Sequence, residues 1–256
     1  MSIHSTAIIN SKAELASDVE VGPFSIIGEG AKICKGTVIG PHVVIAPYTE
    51  IGEDNKIHHG ASLGGDPQDI SFKGKRSFVR IGNGNTIREY VTIHRATKDA
   101  EATTLGNDNY FMAYTHAAHD CKVGNNVILT NYAGLAGHVI VEDFAIISSY
   151  VGIHQFARVG TMAMVGGLAR VNRDILPYTL VEGNPATTHG LNSVGLRRRG
   201  VDPETRSNLK KAYKILCRSD LSIEKALARV EVEVEQKKEV AHLVDFAKAS
   251  KRGIIR

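Results

Sequence analysis

Residues 105–171 read LGNDNYFMAYTHAAHDCKVGNNVILTNYAGLAGHVIVEDFAIISSYVGIHQFARVGTMAMVGGLARV. An apolar residue returns at every sixth place: Leu105, Phe111, Ala117, Val123, Leu129, Leu135, Val141, Ile147, Ile153, Val159, Val165 and Val171. An α-helix repeats every 3.6 residues and a plain strand every two, so neither gives this period. A sustained hexapeptide period marks a parallel β-helix. The same series runs upstream from Ile3 through Ile9, Leu15, Val21, Ile27, Ile33, Ile39, Ile45, Ile51, Ile57 and Leu63, then resumes at Ile81, Ile87 and Ile93.

The minor positions agree. Four places after most anchors stands a small or β-branched residue, as at Ala31, Thr37, Val43, Ala61, Thr115, Cys121, Val127, Ala133 and Ala145. Both sets are expected to face inward. Gly follows many anchors directly, as at Gly22, Gly40, Gly106, Gly124 and Gly160, and is expected to ease a corner. Three hexapeptides then make one triangular coil of about 18 residues, with coils stacked roughly 4.8 Å apart.

The repeat places a β-helical unit over residues 1–186, with projecting loops near 66–78 and 97–104, where anchors are missing. Such loops commonly carry binding residues. Residues 187–256 change character. Asp202-Pro203-Glu204 has the order of an N-cap, a first-turn proline and a first-turn acid. Helices are expected over about 203–217, from Ser222 onward, and near 237–250, packing together or capping the last coil. This segment holds 16 of the 31 Lys and Arg but 9 of the 27 Asp and Glu, a net +7 against −3 for the rest. The imbalance points to an acidic or phosphorylated partner. It lacks the aromatic-interleaved basic platform of a nucleic-acid binder. No apolar run reaches transmembrane length and no signal peptide is visible. Three scattered cysteines exclude a disulfide framework and suit a reducing compartment, so the expected location is cytoplasmic, without membrane insertion.

Four histidines crowd one stretch: His116, His119, His138 and His154. Counted from their anchors, none holds an inward place. Residue 137 falls one coil after 119, so Gly137 brings a bare backbone N–H to His119, with His138 beside it. A base next to a backbone donor suits acyl transfer, with His119 taking a hydroxyl proton and the Gly137 N–H holding an oxyanion. Three of the histidines binding zinc, as in a hydratase, is the competing reading. A non-catalytic scaffold is the third. Cys121 holds a small inward place and reads as a packing thiol rather than a nucleophile.

The stretches PQD (67–69), TIHR (92–95), HAAHDC (116–121), LAGHV (135–139), IHQF (153–156), GNPA (183–186) and LRRRG (196–200) occur in one order. In these the chain resembles, over essentially its full length, the UDP-N-acetylglucosamine O-acyltransferases that begin lipid A synthesis. The resemblance implies a left-handed β-helix and a homotrimer with sites between subunits. It implies direct transfer of an (R)-3-hydroxyacyl group from acyl carrier protein to the glucosamine 3-hydroxyl of UDP-N-acetylglucosamine, with no metal or other cofactor; a 3-amino sugar is the alternative acceptor. Carried over, His119 is the general base, Asp120 orients it and Gly137 supplies the oxyanion donor. His116, His138, His154 and Gln155 line the site, and His94 lies near it. Gln68 and Asp69 come from a loop of the adjacent subunit. Arg198 and Arg199 meet phosphates, and Gly167 limits acyl length, its bareness favouring a longer chain. Acyl carrier protein is acidic, which gives the basic appendage a purpose. Ser71 stands where many relatives carry Lys. Repeat phase puts His94 and Gly167 on a different face from His119, and pairing His119 with Asp120 requires irregular backbone.

Overall fold

The computed structural model describes residues 2–256. Successive hexapeptides form short strands, mostly of two residues, that pass in turn to three sheets of eleven, nine and eight strands, parallel except for the last strand of the first, and here called first, second and third. Each strand pairs with the one a coil later, as in Val21↔Ile39 of the first sheet, Ile27↔Ile45 of the second and Ile33↔Ile51 of the third. The architecture is a left-handed parallel β-helix followed by C-terminal helices. The anchors form its core: Ile27, Ile45, Leu63, Ile93, Phe111, Leu129 and Ile147 are all buried. The small residues four places on, including Ala31, Val43, Ala61, Cys121 and Ala133, fill the corners between them.

The turns differ from the sequence expectation. The residue three places after the anchor is left-handed, and it usually carries a side chain: Tyr114 at φ 61°, Asp120 at 61°, Tyr132 at 62° and His138 at 62°. The glycines directly after the anchors are needed for close stacking instead. A Cβ on Gly22 would stand 2.8 Å from the Gly40 carbonyl carbon of the next coil, and one on Gly106 2.8 Å from that of Gly124.

Two coils are longer than 18 residues. Ile57 pairs with Ile87, and Ile87 with Phe111, so these turns of the helix hold 30 and 24 residues. The surplus leaves the prism as loops over 66–77 and 97–101. The second loop ends earlier than expected because Ala102–Leu105 is already a strand. Buried asparagines knit the long coils to their neighbours. Asn85 donates its backbone and side-chain N–H groups to Asn55 Oδ1, both at 2.9 Å, and its own Oδ1 accepts the Asn109 N–H at 2.9 Å.

Strand Thr179–Glu182 stacks on the last coil and turns back antiparallel into Thr187–Leu191. The sheet therefore continues past residue 186. A short helix that the sequence did not announce follows, α1 (Ser193–Arg198), then α2 (Pro203–Arg218), α3 (Ile223–Glu233) and α4 (Lys238–Lys248). Asp202 caps α2 by accepting the Thr205 N–H at 2.9 Å, and Ser222 caps α3. Their apolar stripes meet in a second core containing Leu209, Leu216, Leu227, Val230 and Leu243. The tail completes the cap, with Ile254 bridging Asp174 and Ile255 buried in the β-helix core. Helix α4 docks through His242 Nε2 and Glu142 Oε2, 2.8 Å apart, and through Arg158, which donates to the Phe246 carbonyl at 3.0 Å and stacks on its ring at 3.8 Å.

Two outcomes follow from this packing. Asn85→Val strands the Asn109 N–H in the core, while Asn55 Oδ1 keeps the backbone N–H of residue 85, and should cost about 1–3 kcal/mol in urea unfolding; a loss under about 0.5 kcal/mol would show that the ladder is idle. The hydrogen bond to Glu142 raises the His242 pKa above 6.5, against the burial that lowers it. Its folded pKa lies above its unfolded one, so the stabilisation is full below pH 6.5 and fades as pH rises through the raised value. His242→Gln should therefore flatten the fall of Tm above neutrality, and an unchanged slope would assign that fall elsewhere.

Candidate active site

The corner between the second and third sheets gathers the polar chemistry. Strand His116–Ala117 ends there, and the chain turns at Asp120 with φ 61°. That left-handed residue resolves the geometric conflict between neighbouring side chains: His119 and Asp120 point to one side, with Nδ1 and Oδ2 2.8 Å apart. An ionised carboxylate only accepts, so Nδ1 carries the proton and Nε2 keeps a free lone pair. Both side chains are mostly enclosed, 14% and 12% exposed. Burial alone would raise the Asp120 pKa, but hydrogen bonds from His119 and Thr97 outweigh it and hold the carboxyl below its usual range. Thr97 donates its hydroxyl to Oδ2 at 2.8 Å and its N–H to both oxygens at 3.3 Å. Thr103 Oγ1 accepts the Asp120 N–H at 2.8 Å.

One coil on, the His138 N–H donates to the His119 carbonyl at 3.0 Å, which sets Gly137 against the His119 ring. A Cβ at 137 would collide with the Cε1 and Nε2 edge of the imidazole. The Gly137 N–H donates to no acceptor among the described residues. Lower down the same corner this place, two after the anchor, is Pro47, which has no N–H at all, and Arg95, whose N–H donates to the Gly65 carbonyl at 3.0 Å. His138 stacks on Phe156 at 4.5 Å and holds Nε2 3.5 Å from Asp120 Oδ2. Burial leads the lowering of its pKa. A recess of about 370 Å³ opens beside Asp120 and His138, with Lys122, Lys251 and Arg252 in its lining.

His94 corrects the phase argument. Its strand, Thr92–His94, pairs with His116–Ala117 in the second sheet, as Ile93↔Ala117. The 97–101 loop consumes one extra hexapeptide, so His94 shares the second sheet with the strand leading to His119. The His94 and His116 rings meet edge to face at 5.0 Å. His116 Nδ1 bonds Thr92 Oγ1 at 2.8 Å, and burial followed by His94 pushes its pKa down to about 4. Burial, then His119, also lowers that of His94. Both imidazoles are thus neutral donors or acceptors at neutral pH.

The remaining candidates are spread more widely. Asp69 lies within the electrostatic reach of His119 and His138 of its own chain, so a neighbour's loop is not needed to bring it there. Ser71 does not replace a cation: its N–H and hydroxyl donate to Asp69 Oδ1 at 2.8 and 2.7 Å, and these bonds lead the lowering of the Asp69 pKa. Gln68, His154 and Gln155 are exposed. Gln155 occupies the same corner place as His119 and Gly137, and the His154 Nδ1 lies 3.2 Å from the Gln155 carbonyl. Arg198 and Arg199 sit elsewhere, on a groove of about 600 Å³ over the first sheet with Ile128, Ile146, Met164 and Leu180. Gly167 follows a first-sheet strand and has open space, its nearest neighbour for a Cβ being Ser149 O at 3.5 Å. Cys121 is fully buried and its thiol is pushed up to about 12 by burial, as a packing residue requires. No three histidines gather as a metal-binding set among the described residues. Among the described residues the one compact donor set is His119, Asp120 and His138, and there Oδ2 is already engaged by His119 and Thr97. Thr97 and Thr103 were missed from sequence; the 24-residue coil that carries them was the available signal.

Known proteins match the chain closely. Residues 174–255 match the family described as UDP N-acetylglucosamine O-acyltransferase, domain 2, and residues 30–65 match the bacterial transferase hexapeptide. An acyl-[acyl-carrier-protein]–UDP-N-acetylglucosamine O-acyltransferase of Thermodesulfovibrio yellowstonii is 52% identical, covering 99% of each chain. One of Syntrophobacter fumaroxidans is 48% identical over 100% of both. The crystal structure of a UDP-N-acetylglucosamine acyltransferase from Bacteroides fragilis superposes with a TM-score of 0.96 at 40% identity, covering 99% of each chain. By its full-length identity, its fold and its matched domains, the chain belongs to the acyl-[acyl-carrier-protein]–UDP-N-acetylglucosamine O-acyltransferase family.

Proposed function

We propose that this chain transfers an (R)-3-hydroxyacyl group from acyl carrier protein to the glucosamine 3-hydroxyl of UDP-N-acetylglucosamine, the opening step of lipid A synthesis. The observation that carries the chemistry is the contact between the His119 ring edge and bare Gly137, with the opposite ring nitrogen held by Asp120. His119 Nε2 takes the proton of the 3-hydroxyl as its oxygen attacks the thioester carbonyl. The carbonyl oxygen becomes an oxyanion and the Gly137 N–H donates to it. The tetrahedral centre then collapses, the C–S bond breaks, and the imidazolium returns its proton to the departing thiolate. Asp120 stays ionised and supports the imidazolium. No covalent acyl-enzyme and no resident metal enter this sequence of steps.

His116, His138, His154 and Gln155 serve the acceptor sugar, with His94 behind His116 and with Asp69 and Gln68 on the loop. Arg198 and Arg199 lie on a different sheet from His119, so we infer a homotrimer in which the first-sheet groove of one chain faces the base of its neighbour. Their guanidinium forks suit the phosphates of the nucleotide or of phosphopantetheine. Apolar Ile128, Ile146 and Met164 suit the acyl chain, and the space at Gly167 favours a longer one. The basic C-terminal segment suits the acidic carrier. Free thiols at Cys34, Cys121 and Cys217 suit the reducing cytoplasm.

The deciding experiment is transfer from 3-hydroxyacyl carrier proteins of several lengths to UDP-N-acetylglucosamine and to its 3-amino analogue, with and without a chelator. Chelator-insensitive turnover on the hydroxyl acceptor is the expected result; turnover on the 3-amino analogue alone would change the acceptor, and no turnover with any donor or acceptor would favour the zinc hydratase instead. His119→Ala should lose on the order of 10²- to 10⁴-fold in kcat; a loss below about tenfold would remove it as the base. Gly137→Ala should cost about 10²-fold or more while the fold persists by circular dichroism. Gly137 is not left-handed, so that loss reports the displaced imidazole, and wild-type kcat would remove Gly137 from the site.

A further inference from the structure

We infer that Thr97 is a positioning residue for His119 and acts through Asp120. The inference rests on His119 as the general base. Asp120 Oδ2 is contested. His119 Nδ1 lies 2.8 Å from it, the Thr97 hydroxyl 2.8 Å and His138 Nε2 3.5 Å. A carboxylate on a single Cβ can rotate between the two imidazoles. Thr97 removes that freedom, because its N–H reaches both oxygens at 3.3 Å while its hydroxyl fixes Oδ2 on the His119 side.

The surroundings hold Thr97 itself in place. Ser77 donates its hydroxyl to the Ala96 carbonyl at 2.5 Å, and the Ala96 N–H donates to Phe78 O at 3.4 Å. The Arg95 N–H donates to Gly65 O at 3.0 Å. On the far side, Thr103 Oγ1 receives the Asp120 N–H and pins the left-handed corner. The loop that lengthens this coil begins at Thr97, and Thr103 lies on the strand that follows it. An 18-residue coil would carry the chain directly from the second sheet to the third, without the extra residues at 97–101 that reach Asp120.

The chemical consequence is a tautomer. With Oδ2 fixed, His119 keeps its proton on Nδ1 and presents Nε2 as a base. With Oδ2 free to swing towards His138, the alternative tautomer gains population and Nε2 is blocked. Burial of the dyad sharpens this dependence, since a hydrogen bond to a charged acceptor is strongest out of water.

Thr97→Val retains the N–H and the shape but lacks the hydroxyl; Thr97→Ser restores it. In the full-length protein Thr97→Val should lower kcat about tenfold, the worth of one hydrogen bond to a charged group. KM for UDP-N-acetylglucosamine should stay within about twofold. ¹⁵N NMR of the histidine ring nitrogens should show His119 moving from the Nδ1–H form to a mixture, and Thr97→Ser should return both readouts. Wild-type kcat and tautomer in Thr97→Val would overturn the inference. So would a Thr97→Ser variant as impaired as Thr97→Val, or a kcat loss that merely tracks a fall in Tm. If the wild-type protein transfers no acyl group, the acyltransferase reading falls, while the tautomer measurement still decides whether Thr97 positions His119.

Discussion

Every feature of this protein depends on how a two-residue strand turns a corner. The chain bends within four residues, and it does so by placing the third residue after most anchors in the left-handed region. A residue with a Cβ pays roughly 1–2 kcal/mol there. The parallel ladder offsets that cost by pairing the strands on both sides of each coil. Stacking adds to it, because identical places recur in every coil. Tyr90, Tyr114, Tyr132 and Tyr150 stack in one column with centroids 4.8–5.1 Å apart.

The same corner leaves most second residues after the anchor with a backbone N–H outside the strand pairing. The three edges of the prism treat it differently. Between the third and first sheets an Asx ladder accepts it: Asn83 N–H donates to Asn107 Oδ1, Asn107 to Asn125 and Asn125 to Asp143, each at 2.8 Å. Between the first and second, prolines at 23 and 41 remove the donor in the lower coils. Between the second and third, at Gly137, it is left open beside a histidine. The candidate chemistry stands where the scaffold leaves a donor unspent, and the donor is aimed by the rigid backbone rather than by a flexible side chain.

The loops turn this generic corner into an individual site. Surplus residues at 66–77 bring Asp69 into the field of His119 and His138. Those at 97–101 lay Thr97 across Asp120. Both loops leave from the same stretch of the solenoid, so the variable elements cluster over an otherwise regular wall. The C-terminal helices contribute their own core and a basic surface. They are tied to the wall by Arg158, Glu142 and the tail at Ile254 and Ile255, and Leu176 and Tyr178 of the wall join their core.

The hexapeptide period by itself determined the prism, its inward residues and the packing role of Cys121, because burial of an apolar anchor in each strand is a local requirement repeated along the chain. Asp202 and Ser222 likewise announced α2 and α3, since capping is local chemistry. Tertiary structure alone decided which face each hexapeptide occupies. The insertions of six and twelve residues preserve the period and shift the face, so no count of anchors could place His94 beside His116. It also decided that the left-handed residue is Asp120 rather than a glycine, which is what lets His119 and Asp120 meet. Thr97 became legible only there, because its partner lies 23 residues away and is reached through a loop whose path no local preference specifies.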